Sequence, residues 1–356
     1  MIQEIRIKNY LSFRDEVVLS FEATKDTTFE ECQVVNVTPK VRLLRFALIY
    51  GANASGKSNL LNAMDFLRGF WFDKKSDIDE ETGVVPFLLD TETPNEPSEF
   101  NIKFFVGDKR YWYALVLDDK QVIKEDLYVY NSVQPSLVFS RKLDGTASLI
   151  KLNANLVKSN ATIVEQLNVK CLSNMSFFAA RNQVNCSLAY IDEVRDWMKN
   201  NMMPIIEPGT RMFEYAGKQM EKNAELKAYI LDFVHKADYN ITDVYTEREK
   251  MPIPDFVKAS IMEDKDIPEK TKEKMLADNA LERLRTDFQH TVKNKRGEEN
   301  YRLSNSLQSE GTKRTFGIEA AIYEAIKTDG ILPIDEIESS LHPELVEFII
   351  EKFLKK

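Results

Sequence analysis

Histidine is scarce in this chain, three residues in 356, and cysteine is equally scarce at three. Cys32, Cys171 and Cys186 lie far apart with no C-x-x-C spacing. That argues against a cysteine-built metal site and leaves reduced, cytoplasmic thiols as the expectation. No stretch approaches the roughly 18 consecutive apolar residues of a transmembrane helix, so no membrane role is expected. The opening Met1-Ile2-Gln3-Glu4-Ile5-Arg6-Ile7 alternates like a strand and lacks the apolar core of a signal peptide. There is no basic excess either. The net charge is −9, whereas a free-standing nucleic-acid-binding domain usually carries a positive balance. Of the two local basic clusters, Lys270-Thr271-Lys272-Glu273-Lys274 is diluted with acid and reads as a solvated helix face. Lys293-Asn294-Lys295-Arg296 reads as an exposed turn. Nucleic acid therefore stays an open partner, one that the charge does not indicate. No heptad is sustained over three or four repeats, so a long coiled coil is not supported, and no internal repeat is evident.

What is present is material for a core and one sharp motif. At 43% hydrophobic and 29% charged residues the chain can bury a substantial interior. Its length suits about two or three domain-sized units, or one large domain with an insertion. Gly51-Ala52-Asn53-Ala54-Ser55-Gly56-Lys57-Ser58 reads G-x-x-x-x-G-K-S, preceded by Phe46-Ala47-Leu48-Ile49-Tyr50 and followed by Asn59-Leu60-Leu61-Asn62-Ala63-Met64. The order predicts a short buried strand, a glycine-bearing loop and a helix. Glycines let backbone N–H groups close around phosphate oxygens, and the helix brings its N-terminal donors to the same anion. Lys57 would then reach the β- and γ-phosphates, and the Ser58 hydroxyl would ligand Mg²⁺.

Upstream, Ile2 to Ile7 and Val17 to Phe21 are expected as strands around a turn at Asn9-Tyr10-Leu11-Ser12-Phe13. Downstream of the loop, Leu60, Leu61, Met64, Leu67 and Trp71 recur at helical spacing. From residue 98 to 150 the period switches to two, predicting an antiparallel meander of aromatic and β-branched strands. Tyr111, Trp112, Tyr113, Tyr128 and Tyr130 read as one packed sheet face, with base stacking the weaker reading. Residues 187–290 are expected to be mostly helical. Tyr190, Val194 and Trp197 share a face, as do Leu226, Ile230 and Val234, and Leu281, Leu284 and Phe288. Pro204, Pro208, Pro252, Pro254 and Pro268 break that region into separate helices. The expected domains are 1–186, 187–298 as a helical insertion, and 299–356.

The last segment returns to chemistry. Gln308-Ser309-Glu310-Gly311-Thr312 precedes a helix, and Ile331-Leu332-Pro333-Ile334 ends in Asp335-Glu336. An apolar run ending in two acids, downstream of a phosphate loop, suits an Asp335 that holds the Mg²⁺ shell and a Glu336 that polarises water.

These four landmarks resemble the ABC-type ATPases of the RecF, SMC and OLD branch. Among them the chain looks closest to the fifteenth of the AAA-like families, found in abortive-infection and phage-defence operons. The opening Ile5-x-Ile7-x-Asn9-Tyr10-x-Ser12-Phe13 looks like the family's first strand and turn. Gly51-x-Asn53-x-x-Gly56-Lys57-Ser58-Asn59 matches its Walker A form. Ser309-Glu310-Gly311-Thr312 looks like its signature motif. Ile334-Asp335-Glu336-Ile337-Glu338 with Ser340-Leu341-His342-Pro343 looks like its Walker B and D-loop. The resemblance covers about residues 1–185 and 300–345. It implies an α/β P-loop NTPase fold, an ABC-type ATPase head with an antiparallel β lobe and a helical insertion.

It also implies ATP and Mg²⁺ as ligands, and a homodimer in which Ser309 and Gly311 of one subunit cap nucleotide on residues 51–59 of the other. A separate effector such as a nuclease or toxin is the implied partner. Three departures stand out. Leu11 replaces a basic residue common among relatives. Pro333 falls within the Walker B run, where a proline removes a ladder donor. No histidine follows His342, where relatives continue to a histidine that contacts the γ-phosphate. The expectation is a chain cut short or divergent at this end, with turnover reduced. A nucleotide-gated scaffold with little hydrolysis is therefore the alternative, and a DNA-end-binding repair ATPase a third reading. No N-K-x-D motif points to GTP, and no carboxylate cluster points to a built-in nuclease.

Overall fold

Period-two alternation shapes the first part of the chain. In the computed structural model, which describes residues 1–237, 240–264, 267–277 and 280–354, β1 (Ile2–Lys8) and β2 (Val17–Ser20) form a hairpin. Its turn is closed by a Tyr10–Phe13 bridge. A short helix α1 (Glu30–Gln33) and a small hairpin of β3 (Val34–Thr38) and β4 (Val41–Leu44) follow, and then α2 (Lys57–Phe70). The meander comprises β5 (Ser98–Val106), β6 (Lys109–Leu117), β7 (Val122–Tyr130), β8 (Ser136–Asp144) and β9 (Ala147–Leu152). With the first hairpin it makes one seven-stranded sheet in the order β2-β1-β5-β6-β7-β8-β9, antiparallel throughout.

One face of this sheet is the core. Phe100, Ile102, Phe104, Tyr111, Tyr113 and Leu115 are fully buried on it, each side chain of that size contributing about 1.5–3 kcal/mol. Against it pack the buried residues of α2, Leu60, Ala63, Met64, Leu67 and Phe70, as the helical spacing predicts. Trp71 is buried just past the helix end. The aromatic stripe divides by parity. Tyr111 and Tyr113 face the core, while Trp112 and Tyr128, from neighbouring strands, stack with ring centroids 4.6 Å apart. Helices α3 (Ala161–Lys170), α4 (Phe177–Arg181) and α5 (Ile191–Asn201) complete this part. Val194 and Trp197 are buried on α5.

The rest of the chain reads α6 (Met212–Lys222), α7 (Ala224–Lys236), β10 (Asp243–Pro252), α8 (Asp255–Glu263), α9 (Glu269–Ala277), β11 (Ala280–Asn294), β12 (Gly297–Ser304), α10 (Glu310–Thr328) and α11 (Pro343–Leu354). The chain divides into two compact units. One is Met1–Pro208 with Ala325–Glu336 and Ile349–Lys356, and the other is Gly209–Glu324 with Ile337–Phe348.

Two expectations are corrected here. The insertion is helical only in part, because β10, β11 and β12 make an antiparallel sheet within it. Leu281, Leu284 and Phe288 lie on strand β11, not on a helix face. Their three-and-four spacing coincides with helical periodicity, but β10 pairs along β11 from Gln289 to Ala280 and decides the conformation. Lys293-Asn294-Lys295-Arg296 is the tip of the β11–β12 hairpin, an exposed turn as expected. Lys272, by contrast, is not solvated. It is buried and donates to the Met262 carbonyl at 3.1 Å and to Glu269. The second unit's core gathers Phe213, Phe288 and Phe316, whose ring centroids lie 5.0–6.4 Å apart.

Candidate nucleotide site

Residues 51–55 of the loop are exposed and Gly56 is half-buried, and the geometry is set by the glycines and the lysine that follows. Gly56 takes φ +89° and ends the loop at the N-terminus of α2. A Cβ there would lie 2.8 Å from both the Phe13 ring and the Ser12 hydroxyl. The turn after β1 therefore packs hard against the loop, and any side chain at position 56 would be both strained and blocked. Ala54 is also left-handed, at φ +61°. Lys57 folds back over the loop, its Nζ donating to the Gly51 and Ala52 carbonyls at 2.9 Å each. Among the described residues no side chain caps α2, and an α-helix cannot satisfy its own first-turn amides. Ser58 and Asn59 are half-buried in that turn. The residues fit a phosphate group: an uncapped helix start, a loop free of side-chain bulk at Gly56, and an ammonium already aimed along the loop.

Tyr10 braces the same helix, donating to the Asn62 carbonyl at 3.3 Å. Burial first, and the Asp65 carboxylate second, push its phenol up to about 12, so it stays a neutral donor. We expect Gly56→Ala to lower stability by about 1–3 kcal/mol through backbone strain and overpacking. A thermal melt would read this as a lower unfolding temperature, with ATP binding weakened in parallel. An unchanged melt would mean the Ser12-Phe13 wall does not bear on the loop.

The expected buried strand ahead of the loop does not form. Residues 46–50 belong to no strand, and Leu48, Ile49 and Tyr50 are exposed, Tyr50 at 93%. An apolar run becomes a strand only where a ladder partner lies alongside. β4 ends at Leu44, and the next amide, Arg45, bonds back to Gln33. The acid-bearing run is similarly incomplete. Ile331 and Ile334 make isolated parallel bridges to Met202 and Ile206, not a continuous strand. Pro333 is buried there, and its carbonyl accepts from Ile206 N at 3.0 Å. Its missing N–H leaves the ladder interrupted at that point, as its place in the run foretold.

Asp335 donates its amide to the Ile206 carbonyl at 2.8 Å, and its Oδ1 accepts from Glu336 N at 3.1 Å. Glu336 sits at φ +45°, an uncommon conformation for a residue with a side chain, and its side chain is exposed. The structure thus places the phosphate loop and Asp335-Glu336 in one unit, and Ser309 and Gly311 in the other. Ser309 is the N-cap of α10, its Oγ accepting from Thr312 N at 3.0 Å and lying 2.8 Å from Thr312 Oγ1. A Cβ on Gly311 would lie 2.6 Å from the Ser340 carbonyl. The close approach of the 340 turn, itself left-handed at φ +63°, is sufficient reason for a glycine. His290 on β11 lies 2.6 Å from the Gln308 amide nitrogen, next to Ser309.

Sequence reasoning missed the segment 202–206 that pairs with residues 331–335. The visible signal was an apolar Met202-Met203-Pro204-Ile205-Ile206 run placed inside an expected helical region.

A family model described as "AAA domain, putative AbiEii toxin, Type IV TA system" matches residues 46–153 and 216–356, most of the chain, including the segments 51–59, 309–312 and 334–343 but not the opening turn at residues 5–13. The chain belongs to this family. It is a P-loop ATPase of the AAA type, of mixed α/β fold with a large antiparallel sheet. The sequence resemblance to P-loop ATPases near the abortive-infection families is thereby upheld. No curated protein matches this AAA-domain chain. Among solved structures it is similar to one described as the SmcHead bound to the C-winged helix domain of ScpA. Identity is 13% and the TM-score 0.42, over 99% of this chain and 86% of that one. That likeness is too loose to define anything further. Among the described residues no helix is long and apolar enough to cross a membrane, and no group of three or more metal-ligating side chains is gathered.

Proposed function

We propose that the chain binds ATP with Mg²⁺ on residues 51–59 and hydrolyses it as a head-to-tail homodimer. One observation carries this reading. The Lys57 ammonium is held by the Gly51 and Ala52 carbonyls inside a loop that opens onto an uncapped helix, an arrangement that suits a polyphosphate. Loop amides and the first amides of α2 bind the phosphates, and Lys57 swings from the loop carbonyls to the β- and γ-oxygens. Ser58 and Asp335 are the residues that would hold Mg²⁺, which when bound neutralises charge on the phosphate oxygens. Glu336, adjacent to Asp335 and exposed, takes the proton of the attacking water. Ser309 and Gly311 of a second copy cap the γ-phosphate. Closure of that dimer passes the nucleotide state to a separate effector, in a cytoplasmic antiviral defence role.

The testing variant is Glu336→Gln, which keeps shape and loses the base. ATP binding is expected to stay within about twofold, while multiple-turnover hydrolysis falls about 10²–10⁴-fold. Native mass measurement with ATP should show the variant accumulating as a dimer. Wild-type turnover by Glu336→Gln would remove Glu336 from the mechanism, and a monomer at saturating ATP would remove the sandwich.

A second reading, a nucleotide-gated scaffold, is favoured by one detail. Asp335 already spends Oδ1 on its neighbour's amide. A wild-type chain that binds ATP, dimerises and shows no steady-state turnover would select that reading.

A further inference from the structure

Asp65 and Arg68 lie two to three turns along α2 from Lys57, and no motif marks them. Both reach the 202–206 segment. The Ile205 amide donates to Asp65 Oδ1 at 3.3 Å, and Arg68 Nε donates to the Met202 carbonyl at 3.2 Å. The two side chains are themselves 3.7 Å apart. The segment is in turn the parallel partner of the acid-bearing run. Ile331 N donates to Asn201 O, Met203 N to Ile331 O, Ile206 N to Pro333 O, and Asp335 N to Ile206 O, at 2.6, 3.0, 3.0 and 2.8 Å.

The pairing slips by one residue between its two bridges, Met202 with Ile331 and Ile206 with Ile334. Pro204 and Pro333 fall within that slip, and neither has an N–H to contribute. Since the Met203 and Ile206 amides both face the 331–335 run, the Ile205 amide is turned away from it, toward α2. An amide turned out of a ladder needs another acceptor, and Asp65 supplies it. A continuous series of bonds therefore runs from the helix that begins at Lys57, through Asp65 and residues 205–206, to the backbone amide of Asp335.

We propose that Asp65, assisted by Arg68, is a positioning residue that fixes Asp335 relative to the phosphate loop. The functional half of this proposal rests on reading residues 51–59 and Asp335 as the ATP–Mg²⁺ site. Its structural half does not.

The experiment compares Asp65→Ala with Asp65→Asn, which keeps an acceptor for the Ile205 amide and drops the charge. In the nucleotide-free chain, amide hydrogen exchange over residues 331–336 should speed up about 10-fold or more in Asp65→Ala, and stay near wild type in Asp65→Asn. The magnesium concentration giving half-maximal binding of a fluorescent ATP analogue should rise about 10-fold in Asp65→Ala, as for a lost outer-shell partner, and be rescued by Asp65→Asn. Unchanged exchange in Asp65→Ala, or equal acceleration in Asp65→Asn, overturns the proposal whatever the nucleotide chemistry. Faster exchange with unchanged magnesium dependence makes the bond merely structural and overturns the positioning role. If Lys57→Ala bound the analogue normally, the site reading would fail while the exchange comparison still judged Asp65. Should Asp65→Ala not fold, Asp65→Glu, which moves the acceptor outward by one methylene, carries the same comparison.

Discussion

Lys57→Ala is expected to weaken ATP binding by about 100-fold or more while leaving the unfolding temperature almost unchanged. The two halves have separate causes. Among the described residues the ammonium bonds to the Gly51 and Ala52 carbonyls, on an exposed loop. Water takes over those acceptors when the side chain is removed, so the cost to folding stays within about 1 kcal/mol. In the proposed ATP complex the same ammonium would face two phosphate oxygens, and its removal would forfeit charge-assisted bonds of about 1.5–3 kcal/mol each. At 1.4 kcal/mol per factor of ten, that is two orders of magnitude or more. Calorimetric titration with ATP and magnesium, alongside a thermal melt, reads both. Wild-type affinity in the variant would mean that residues 51–58 are a glycine turn and nothing more. Lys57→Arg should not rescue, because a planar guanidinium does not fit a site built for a compact ammonium.

The largest effect on stability is expected outside the loop, at Arg141→Met. Arg141 and Glu125 are both fully buried in the sheet core, 3.4 Å apart. Glu125 also accepts from Tyr113 Oη at 2.9 Å, Ser176 Oγ at 2.8 Å and Phe177 N at 2.7 Å. Arg141 donates to Ser148 and to the carbonyls of Leu172 and Ser173. Burial first, and the Glu125 charge second, hold the Tyr113 phenol well above its usual range, so it remains a donor.

Removing Arg141 leaves Glu125 as an uncompensated charge in the core, a loss of about 3–5 kcal/mol. In a unit of this size that corresponds to roughly 10 °C in unfolding temperature. The double variant Glu125→Leu with Arg141→Met should recover most of the loss, since an apolar pair of similar volume is often no worse than the ions it replaces. A single variant melting with the wild type would show that the pair carries no such weight.

The parts legible from sequence were those decided by neighbours in the chain. The loop is specified by which residue types can surround a phosphate, and α2 and the meander by periodicities that hold within one element. Residues 46–50 and 280–290 went astray because a strand is decided by what lies beside it. Leu48, Ile49 and Tyr50 have strand-like composition without a ladder. Leu284 and Phe288 have helical spacing, and β10 alongside. Asp65 was invisible for the same reason. Its importance depends on an amide 140 positions away, turned out by two prolines that no local pattern connects. Ser309 and Gly311 were expected at the site by resemblance alone, and the geometry they show has a local reason, a helix cap and a close backbone approach.

That approach has a mechanical consequence. With the Ser340 carbonyl 2.6 Å from where a Cβ on Gly311 would stand, the start of α10 and the 339–341 turn have no slack between them. They behave as meshed teeth. A push on the turn cannot be absorbed by a shifting side chain, because position 311 has none, so it is delivered to the helix axis. A contact made on either element is therefore expected to be felt by the other.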